Sequence, residues 1–297
     1  MAGPTHGKNP PSNELDFGII TGQHYRSWDV IKETWLWADE SGWDSAWAFD
    51  HFFGLRKDEE LGECLEGWTL IAALATLTQK VQLGLMVTGI THREPIVLFK
   101  NAVTVDHVSD GRLILGVGAA WQEREHEAYG IPFPSPGERV DRFGEQMEMY
   151  RLLETQERAD FNGEHYTLVN APFEPKPIHG HIPILVGSTG KRMMRHIARY
   201  ADQWDGGGTP EEYRASGVRL KAACEEIGRD PSEIRWALST GMAALESEDA
   251  FRELVRGYAA IGVRSFLFNT PFSSPTSAMR AIAERVIPEL REEFTAG

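Results

Sequence analysis

Short apolar runs alternate along the chain with longer stretches whose apolar residues recur at helical spacing. In the first half, the short runs predict four strands and the longer stretches predict the helices between them. The predicted strands are Leu15–Ile20, Ser45–Asp50, Val81–Thr88 and Arg112–Val117, and the predicted helices are Trp28–Ser41, Trp68–Thr78 and Pro95–Ser109. Because a helix-length crossover follows each strand, the pattern indicates a parallel sheet.

The alternation continues in the second half after one interruption. The segment Glu154–His181 follows a predicted helix, Glu138–Leu153, and has no helical period, while its Asn162-Gly163 pair is typical of a hairpin turn. The remaining predicted strands are Ile184–Gly187, Gln203–Asp205, Ile234–Thr240 and Val263–Asn269, and the remaining helices are Gly190–Ala201, Pro210–Ile227, Ala250–Ile261 and Pro275–Leu290. Eight β–α units predict a TIM (β/α)8 barrel, an α/β fold, with an insertion between helix 4 and strand 5; a doubly wound open sheet is the alternative.

No break in composition divides these units, so we expect one domain over residues 15–297 after a flexible leader at 1–14. Lys and Arg number 30 against 44 Asp and Glu, a net charge of −14, which argues against binding to nucleic acid or an anionic membrane surface. No apolar run approaches the ~18–20 residues of a membrane span. Cys64 and Cys224 lack metal-ligand spacing and predict the reduced thiols of a cytoplasmic protein.

In a barrel of this kind, chemistry belongs at the carboxyl ends of the strands. The fifth predicted strand ends in Gly187-Ser188-Thr189-Gly190, directly before a predicted helix. Backbone N–H groups at a helix start, together with two hydroxyl groups, predict a phosphate site at this turn. A capped β–α turn without a ligand is the plainer alternative. The next strand leads into a second Gly-rich turn, Gly206–Gly208, which favours the phosphate interpretation.

The second predicted strand ends in Asp50-His51, the best catalytic candidate in the sequence. A histidine exchanges a proton near neutral pH, and a neighbouring carboxylate can orient its ring. A purely supporting histidine at a strand end is the alternative, and His24 is a weaker candidate for the same role. The charged run from Glu123 to Glu127 is interpreted as a solvated helical turn.

Several common catalytic motifs are absent from the sequence. It contains neither the GxSxG elbow of serine hydrolases nor the GxxxxGK[ST] loop of nucleotide-binding proteins. Gly116-Val117-Gly118 imitates the start of a dinucleotide fingerprint, but Trp121 stands where the third glycine belongs. We also expect no helix at that point, because Pro132, Pro134 and Pro136 follow. The strand end is instead interpreted as a place where backbone approaches a ligand.

Taken together and in order, several segments resemble the bacterial luciferase-like superfamily, and most closely its coenzyme F420-dependent oxidoreductase branch. These segments are DSAWAFDHFF, VQLGLMVTGITHREP, VSDGRLILGVGAAWQEREHEAYGIPFP, GERVDRFGEQMEMYRLL, FNGEHYTL and PFEPKPIHGHIPILVGSTGKRMMRHIARYADQWD. The resemblance runs from about Leu15 to Asp205 and weakens towards the C-terminus. It implies a TIM barrel with a deazaflavin across the strand ends, and a homodimer.

The resemblance also implies roles for particular residues. Asp50 and His51 would lie beside the cofactor ring, and a cis peptide at Met86–Val87 would mark a bulge in strand three. The other implied cofactor-binding residues are Val87 and Thr88 behind the ring, Gly118 and Ala119 along the ring or tail, and Gly187, Ser188, Thr189 and Gly190 at the phosphate.

The sequence therefore predicts a deazaflavin-dependent enzyme that transfers a hydride between coenzyme F420 and a small organic substrate, with His51 as proton donor or acceptor oriented by Asp50. Trp121 stands where sugar-phosphate dehydrogenases of this branch have a carboxylate, which argues against a phosphorylated sugar. Trp68, Phe52 and Phe53 suggest a hydrophobic substrate pocket. The first alternative is a monooxygenase that uses reduced FMN, and the second is a non-catalytic carrier on the same barrel.

Overall fold

The computed structural model describes residues 14–55 and 61–295, and its centre is a parallel sheet rolled into a barrel. The strands are β1 (Asp16–Ile20), β2 (Ser45–Ala48), β3 (Gln82–Leu85), β4 (Thr88–Gly89), β5 (Leu115–Gly118), β6 (Arg158–Asn162), β7 (Thr167–Pro172), β8 (Ile184–Gly187), β9 (Gln203–Asp205), β10 (Arg235–Thr240) and β11 (Ser265–Asn269). Nine of them form one sheet in the order β3-β2-β1-β11-β10-β9-β8-β5-β4. Pairing between Leu83 and Leu113 brings its two ends together. All eight predicted barrel strands are confirmed, and the open-sheet alternative is wrong.

The third barrel strand is split into β3 and β4 by a non-proline cis peptide between Met86 and Val87, at the position that the family resemblance implied. On the neighbouring strand β5, a Cβ atom at Gly116 would overlap the carbonyl oxygen of Leu85. A glycine at this position therefore lets β5 approach the end of β3 closely.

Helices surround the barrel and bury their apolar faces against its outer surface. They are α1 (Trp28–Glu40), α2 (Gly67–Leu77), α3 (Pro95–Val108), α4 (Glu123–Tyr129), α5 (Pro136–Thr155), α6 (Met193–Tyr200), α7 (Pro210–Ile227), α8 (Glu248–Ala259), α9 (Ser277–Ala281) and α10 (Ile287–Thr295), with a π-helical segment at Ile282–Val286 between the last two. Helix α4 corrects the expectation that no helix follows β5, because its seven residues fit before the prolines. Local sequence signals determine where several helices begin. Glu66 caps α2, and Pro95 is the first residue of α3, where a missing N–H has no cost.

A second, smaller apolar cluster fills the inside of the barrel. It consists of one buried side chain from each of five strands, namely Ile20, Trp47, Leu185, Ala237 and Leu267, and of Ile114, the residue before β5. Phe49, Met86 and Val87 lie partly buried against this cluster. Because Phe49 follows β2 and Val87 precedes β4, these side chains form the floor of the mouth at the carboxyl end of the barrel.

The predicted insertion is an antiparallel hairpin of β6 and β7 between α5 and β8. The turn at Asn162-Gly163 closes it, and the Glu145 carboxylate accepts N–H groups from Glu164, His165 and Tyr166. The predicted leader, apart from Glu14, lies outside the described residues. Among the helices that the structure describes, none is long and apolar enough to cross a membrane.

Candidate active site

The clearest catalytic grouping at the barrel mouth is a histidine held by a buried carboxylate. His51, just beyond β2, places Nδ1 2.7 Å from Oε2 of Glu125 in α4. The other oxygen, Oε1, accepts the backbone N–H of Phe52 at 2.7 Å. Both carboxylate oxygens are therefore occupied by the His51–Phe52 segment, which fixes the imidazole ring. No hydrogen bond to His51 Nε2 is found in the described part of the chain.

Glu125 is ionised in this arrangement. Its side chain is fully buried. Burial would raise its pKa, but the hydrogen bond and attraction from His51 and the N–H of Phe52 outweigh burial and lower the pKa below its usual value. The sequence interpretation of Glu123–Glu127 as a solvated turn is wrong at Glu125 and His126, which face inwards. A seven-residue helix with charges on every side has no apolar stripe, so periodicity gave no signal for Glu125.

Asp50 does not orient His51, which corrects the sequence prediction of its role. Its carboxylate forms a two-pronged ion pair with Arg93, with distances of 2.7 and 2.9 Å, and Arg93 also bonds to Glu66. His92 Nδ1 lies 3.4 Å from the same carboxylate. Burial would raise the pKa of Asp50, but His92 and the Arg93 guanidinium hold it below its usual range. Asp50 therefore ties the end of β2 to the segment before α3.

The predicted ring-binding residues gather on one side of the mouth. A Cβ atom on Gly118 would lie 3.0 Å from a Val87 methyl group, and one on Gly187 would lie 3.6 Å from the other methyl. Val87 thus lies between two glycines, and their lack of side chains leaves space beside it. Thr88 is fully buried, and its hydroxyl accepts from Trp68 Nε1 at 3.2 Å, so it supports the floor. The carbonyl of Ala119 accepts from Arg139 Nε at 3.1 Å.

The predicted phosphate turn differs in detail from the expectation. The Ser188 N–H donates to the Asp205 carbonyl at 3.2 Å, and the Gly190 N–H donates to Ser188 Oγ at 3.2 Å. Thr189 and Gly190 are exposed. Helix α6 begins at Met193, so its unpaired N–H groups follow Gly190 instead of including it. The exposed Lys191 stands at this helix start; sequence reasoning missed it, although a lysine directly after a Gly-rich turn was a visible signal.

The second Gly-rich turn is less suited to an anion. The buried Asp205 carboxylate accepts from the Gly207 N–H at 3.3 Å and from Ser239 N at 3.1 Å. Burial raises the pKa of Asp205, whose bonds to Ser239 only partly oppose that shift. The N–H group of Gly207 is therefore turned towards a carboxyl group of the protein.

The opposite side of the mouth holds a cavity of about 320 Å³. Its lining comes from the ends of β1, β2, β10 and β11 and from the loop after His51, and includes Ile20, His24, Tyr25, Arg26, Phe49, Leu55, Met242 and Phe272. The His24 ring stacks on Phe49 at 5.5 Å and lies 5.7 Å from the His51 ring. The exposed Trp121 meets His51 edge-on at 5.6 Å. The expected Trp68, Phe52 and Phe53 do not line this cavity: Trp68 and Phe52 border a groove beside α2 and α3, and Phe53 packs on Tyr129.

The barrel, the hairpin before β8 and the histidine–carboxylate pair at the mouth together define a class of α/β-barrel enzymes. The model of the luciferase-like monooxygenase family matches residues 13–296, and the chain therefore belongs to that family.

Two individual proteins are similar to this chain over most of its length. The chain is 30% identical over 294 residues to a phthiodiolone/phenolphthiodiolone dimycocerosates ketoreductase of Mycobacterium kansasii, covering 90% of this chain and 78% of the relative. It is 31% identical over 234 residues to an uncharacterized protein of Mycobacterium tuberculosis, covering 78% and 79%.

Two solved structures illustrate the range of the fold. An F420-dependent secondary alcohol dehydrogenase in complex with an F420-acetone adduct superposes with a TM-score of 0.82 at 18% identity, covering 91% of this chain and 98% of the other. A monooxygenase from Streptomyces bottropensis gives 0.79 at 20% identity, covering 93% and 100%. An F420-dependent dehydrogenase and a monooxygenase thus share this barrel.

Proposed function

We propose that the protein is a coenzyme F420-dependent oxidoreductase that acts on a carbonyl or alcohol group of a small, largely apolar substrate. The observation that carries the proposal is His51, which the ionised Glu125 fixes and whose Nε2 has no hydrogen-bond partner among the described residues at the barrel mouth. Membership of the chain in the luciferase-like monooxygenase family supports the proposal.

The residues of the glycine-lined side fit a flat ring with an anionic tail. The atoms nearest to the places where side chains of Gly118 and Gly187 would project are the Val87 methyl groups and, at Gly118, the carbonyl oxygen of Gly187. The Ser188 hydroxyl accepts from Gly190 and keeps its own proton to donate, and Thr189, Lys191 and the start of α6 add further donors. A helix N-terminus with hydroxyl and ammonium donors suits a phosphate group. When bound, F420 supplies a ring carbon that gives or accepts a hydride.

The bond to Glu125 determines what His51 can do. An ionised carboxylate only accepts hydrogen bonds, so Nδ1 of His51 carries a proton. Nε2 is then an acceptor in the neutral ring and a donor in the charged one. His51 can therefore take the proton of a substrate hydroxyl group, or give a proton to an oxygen that gains negative charge. Glu125 is a positioning residue, because it acts through His51.

The ketoreductase relative favours carbonyl chemistry over oxygenation. A ketoreductase reduces a ketone, and this relative is 30% identical to the chain over nine tenths of the chain's length. Reduction of a ketone requires a hydride and a proton, the two components that the cofactor and His51 would provide. Use of reduced FMN with oxygen is the competing outcome of the test.

The test is a titration of purified protein with F420 and, separately, with FMN, followed by fluorescence and by oxygen uptake after reduction. We expect F420 to bind more tightly than FMN, without rapid oxygen consumption by the reduced complex. FMN binding as tight as F420 binding, together with oxygen uptake, would overturn the proposal.

A further inference from the structure

Three consecutive residues at the end of β1 each carry a buried polar atom without a hydrogen-bond partner. These atoms are Nε2 of His24, the hydroxyl of Tyr25 and Nε of Arg26. All three residues line the 320 Å³ cavity. Unpaired buried polar groups are rare because each has lost its bonds to water. Their concentration on one cavity indicates that a ligand supplies the missing partners.

Arg26 is the most unusual of the three. It is 5% exposed, its Nη1 donates to Thr270 Oγ1 at 2.9 Å, and its Nη2 donates to the Thr270 carbonyl at 2.6 Å. No carboxylate lies within ion-pair distance of it in residues 14–55 and 61–295. Burial lowers the pKa of Arg26 to about 10, so the group stays charged at neutral pH. A buried cation without an anion is costly.

Arg93 shows what a structural arginine looks like in the same mouth. It is also largely buried, but Asp50 and Glu66 both bond to its guanidinium. Among the described residues Arg26 has only neutral oxygen partners, although the same fold provides paired carboxylates elsewhere. Because no described residue supplies an anion to Arg26, the difference points to an anion from a bound ligand.

The rest of the cavity lining is largely apolar. Phe272 lies under the Arg26 guanidinium at 5.1 Å, Phe49, Leu55 and Met242 are further apolar members, and Asn269 and Thr270 are polar but uncharged. Burial is the main cause that lowers the pKa of His24 to about 4. The nearby His51 adds to this shift, and the charge of Glu125 opposes it. His24 is therefore neutral at physiological pH, and among the lining residues that the structure describes Arg26 is the only charged side chain.

We propose that this cavity binds the carboxylate of an apolar carboxylic acid substrate, with Arg26 as the residue that determines specificity. The carboxylate meets Arg26 and Tyr25, and the apolar body lies against Phe49 and Phe272. The body extends past His24 towards His51, whose ring is 5.7 Å away. The inference rests on the proposed function for the reacting carbon beside His51, whereas binding of the acid itself needs no cofactor.

The experiment measures calorimetric binding of phenylacetate and hexanoate, each compared with its neutral amide, to protein with and without F420. We expect each acid to bind at least about tenfold more tightly than its amide, the factor that a hydrogen bond to a charged group provides. Equal affinities for acid and amide, or no binding of either acid at millimolar concentration, would overturn the proposal.

Variants of Arg26 and of its hydrogen-bond partner Thr270 distinguish the effect of the Arg26 charge from that of its structural support. Arg26→Met should abolish the preference for the acid, and Arg26→Lys should retain part of it. Thr270→Val removes one hydrogen bond of Arg26 but keeps its charge, so the preference should persist. Arg264→Met is the matched control, because Arg264 also bonds only to carbonyl oxygens, those of Ala259 and Val263 away from the mouth. A preference that survives in Arg26→Met contradicts the inference.

If Arg26→Met does not fold, the acid-to-amide ratio of the wild-type protein still decides. The cofactor titration is a separate measurement. Tight F420 binding with no acid preference would refute the substrate class alone, and acid preference without F420 binding would refute the cofactor alone.

Discussion

The two sides of the barrel mouth are built from different residues. On one side, Val87 precedes β4 while Gly118 and Gly187 end β5 and β8, and the nearest side-chain atoms beside both glycines are the methyl groups of Val87. On the other side, the residues after β1 and β2 carry rings and a buried guanidinium around a partly open cavity. A glycine-lined surface suits a broad flat ligand, and a ring-lined cavity suits a small apolar one.

The hydrogen-bonded pair of His51 and Glu125 lies on the border between the two sides. His51 comes from the end of β2, next to the cavity, and Glu125 comes from α4 after β5, next to the glycines. The contrast predicts that substitutions on the two sides alter cofactor and substrate binding separately, while substitutions at the border alter the reaction itself. Substitutions of His51, Asp50 and Ser188 test this division.

The largest effect is expected at the border. His51→Asn should reduce turnover about 10²–10⁴-fold, the usual contribution of general acid–base catalysis. Its amide can still donate to Glu125, so thermal stability and F420 affinity should change little. Steady-state kinetics and thermal unfolding check both parts. A cofactor-loaded variant with wild-type turnover would show that His51 has only a supporting role.

Asp50→Asn, at the residue before His51, should mainly lower the stability of the folded protein. It breaks a buried ion pair and should cost about 3 kcal/mol of unfolding free energy, at the low end of the range because Glu66 still pairs with Arg93. Turnover of the folded fraction should stay within a few-fold of wild type. Denaturant titration measures the first quantity and active-site-normalised kinetics the second. A large loss of turnover at unchanged stability would return Asp50 to a catalytic role.

The same variant has a defined pH dependence. The pKa of Asp50 lies below its usual value of 3.8 in the folded protein, so the carboxylate contributes stability above that value. This contribution is lost as the pH falls through the folded pKa. The stability gap between wild type and Asp50→Asn should therefore be full at pH 7 and narrow below about pH 3.8.

The smallest effect is expected on the glycine side, at the phosphate turn. Ser188→Ala should weaken F420 binding about tenfold, because a hydrogen bond to a charged group is worth about 1.5–3 kcal/mol. Ser188→Asp should weaken it further, since a carboxylate repels phosphate. Fluorescence titration measures both, and binding of phenylacetate should not change. Ser247→Asp, at the start of α8, is the control for the added charge. Unchanged F420 affinity in both Ser188 variants would place the tail elsewhere.

Local pattern was sufficient to predict most of the fold. The eight barrel strands and most of the helices follow from apolar runs, turn residues and helix caps, which act over a few neighbouring residues. The same kind of signal predicted the hairpin through Asn162-Gly163. It failed at α4, where a short charged helix has no apolar face. It also placed the start of α6 at Gly190, three residues before the helix begins at Met193.

The sequence alone determined the order of the strands and helices and the residues that stand at the strand ends, since these depend on spacing along the chain. Only the tertiary structure decided which of those residues meet. Glu125 reaches His51 across 74 positions, and Arg93 reaches Asp50 across 43, because barrel closure brings distant strand ends to one mouth. Asp50 and His51 are adjacent in sequence, yet their side chains bond to different partners. Successive residues near a strand end point to different sides of the backbone, and the packing around each side selects its partner.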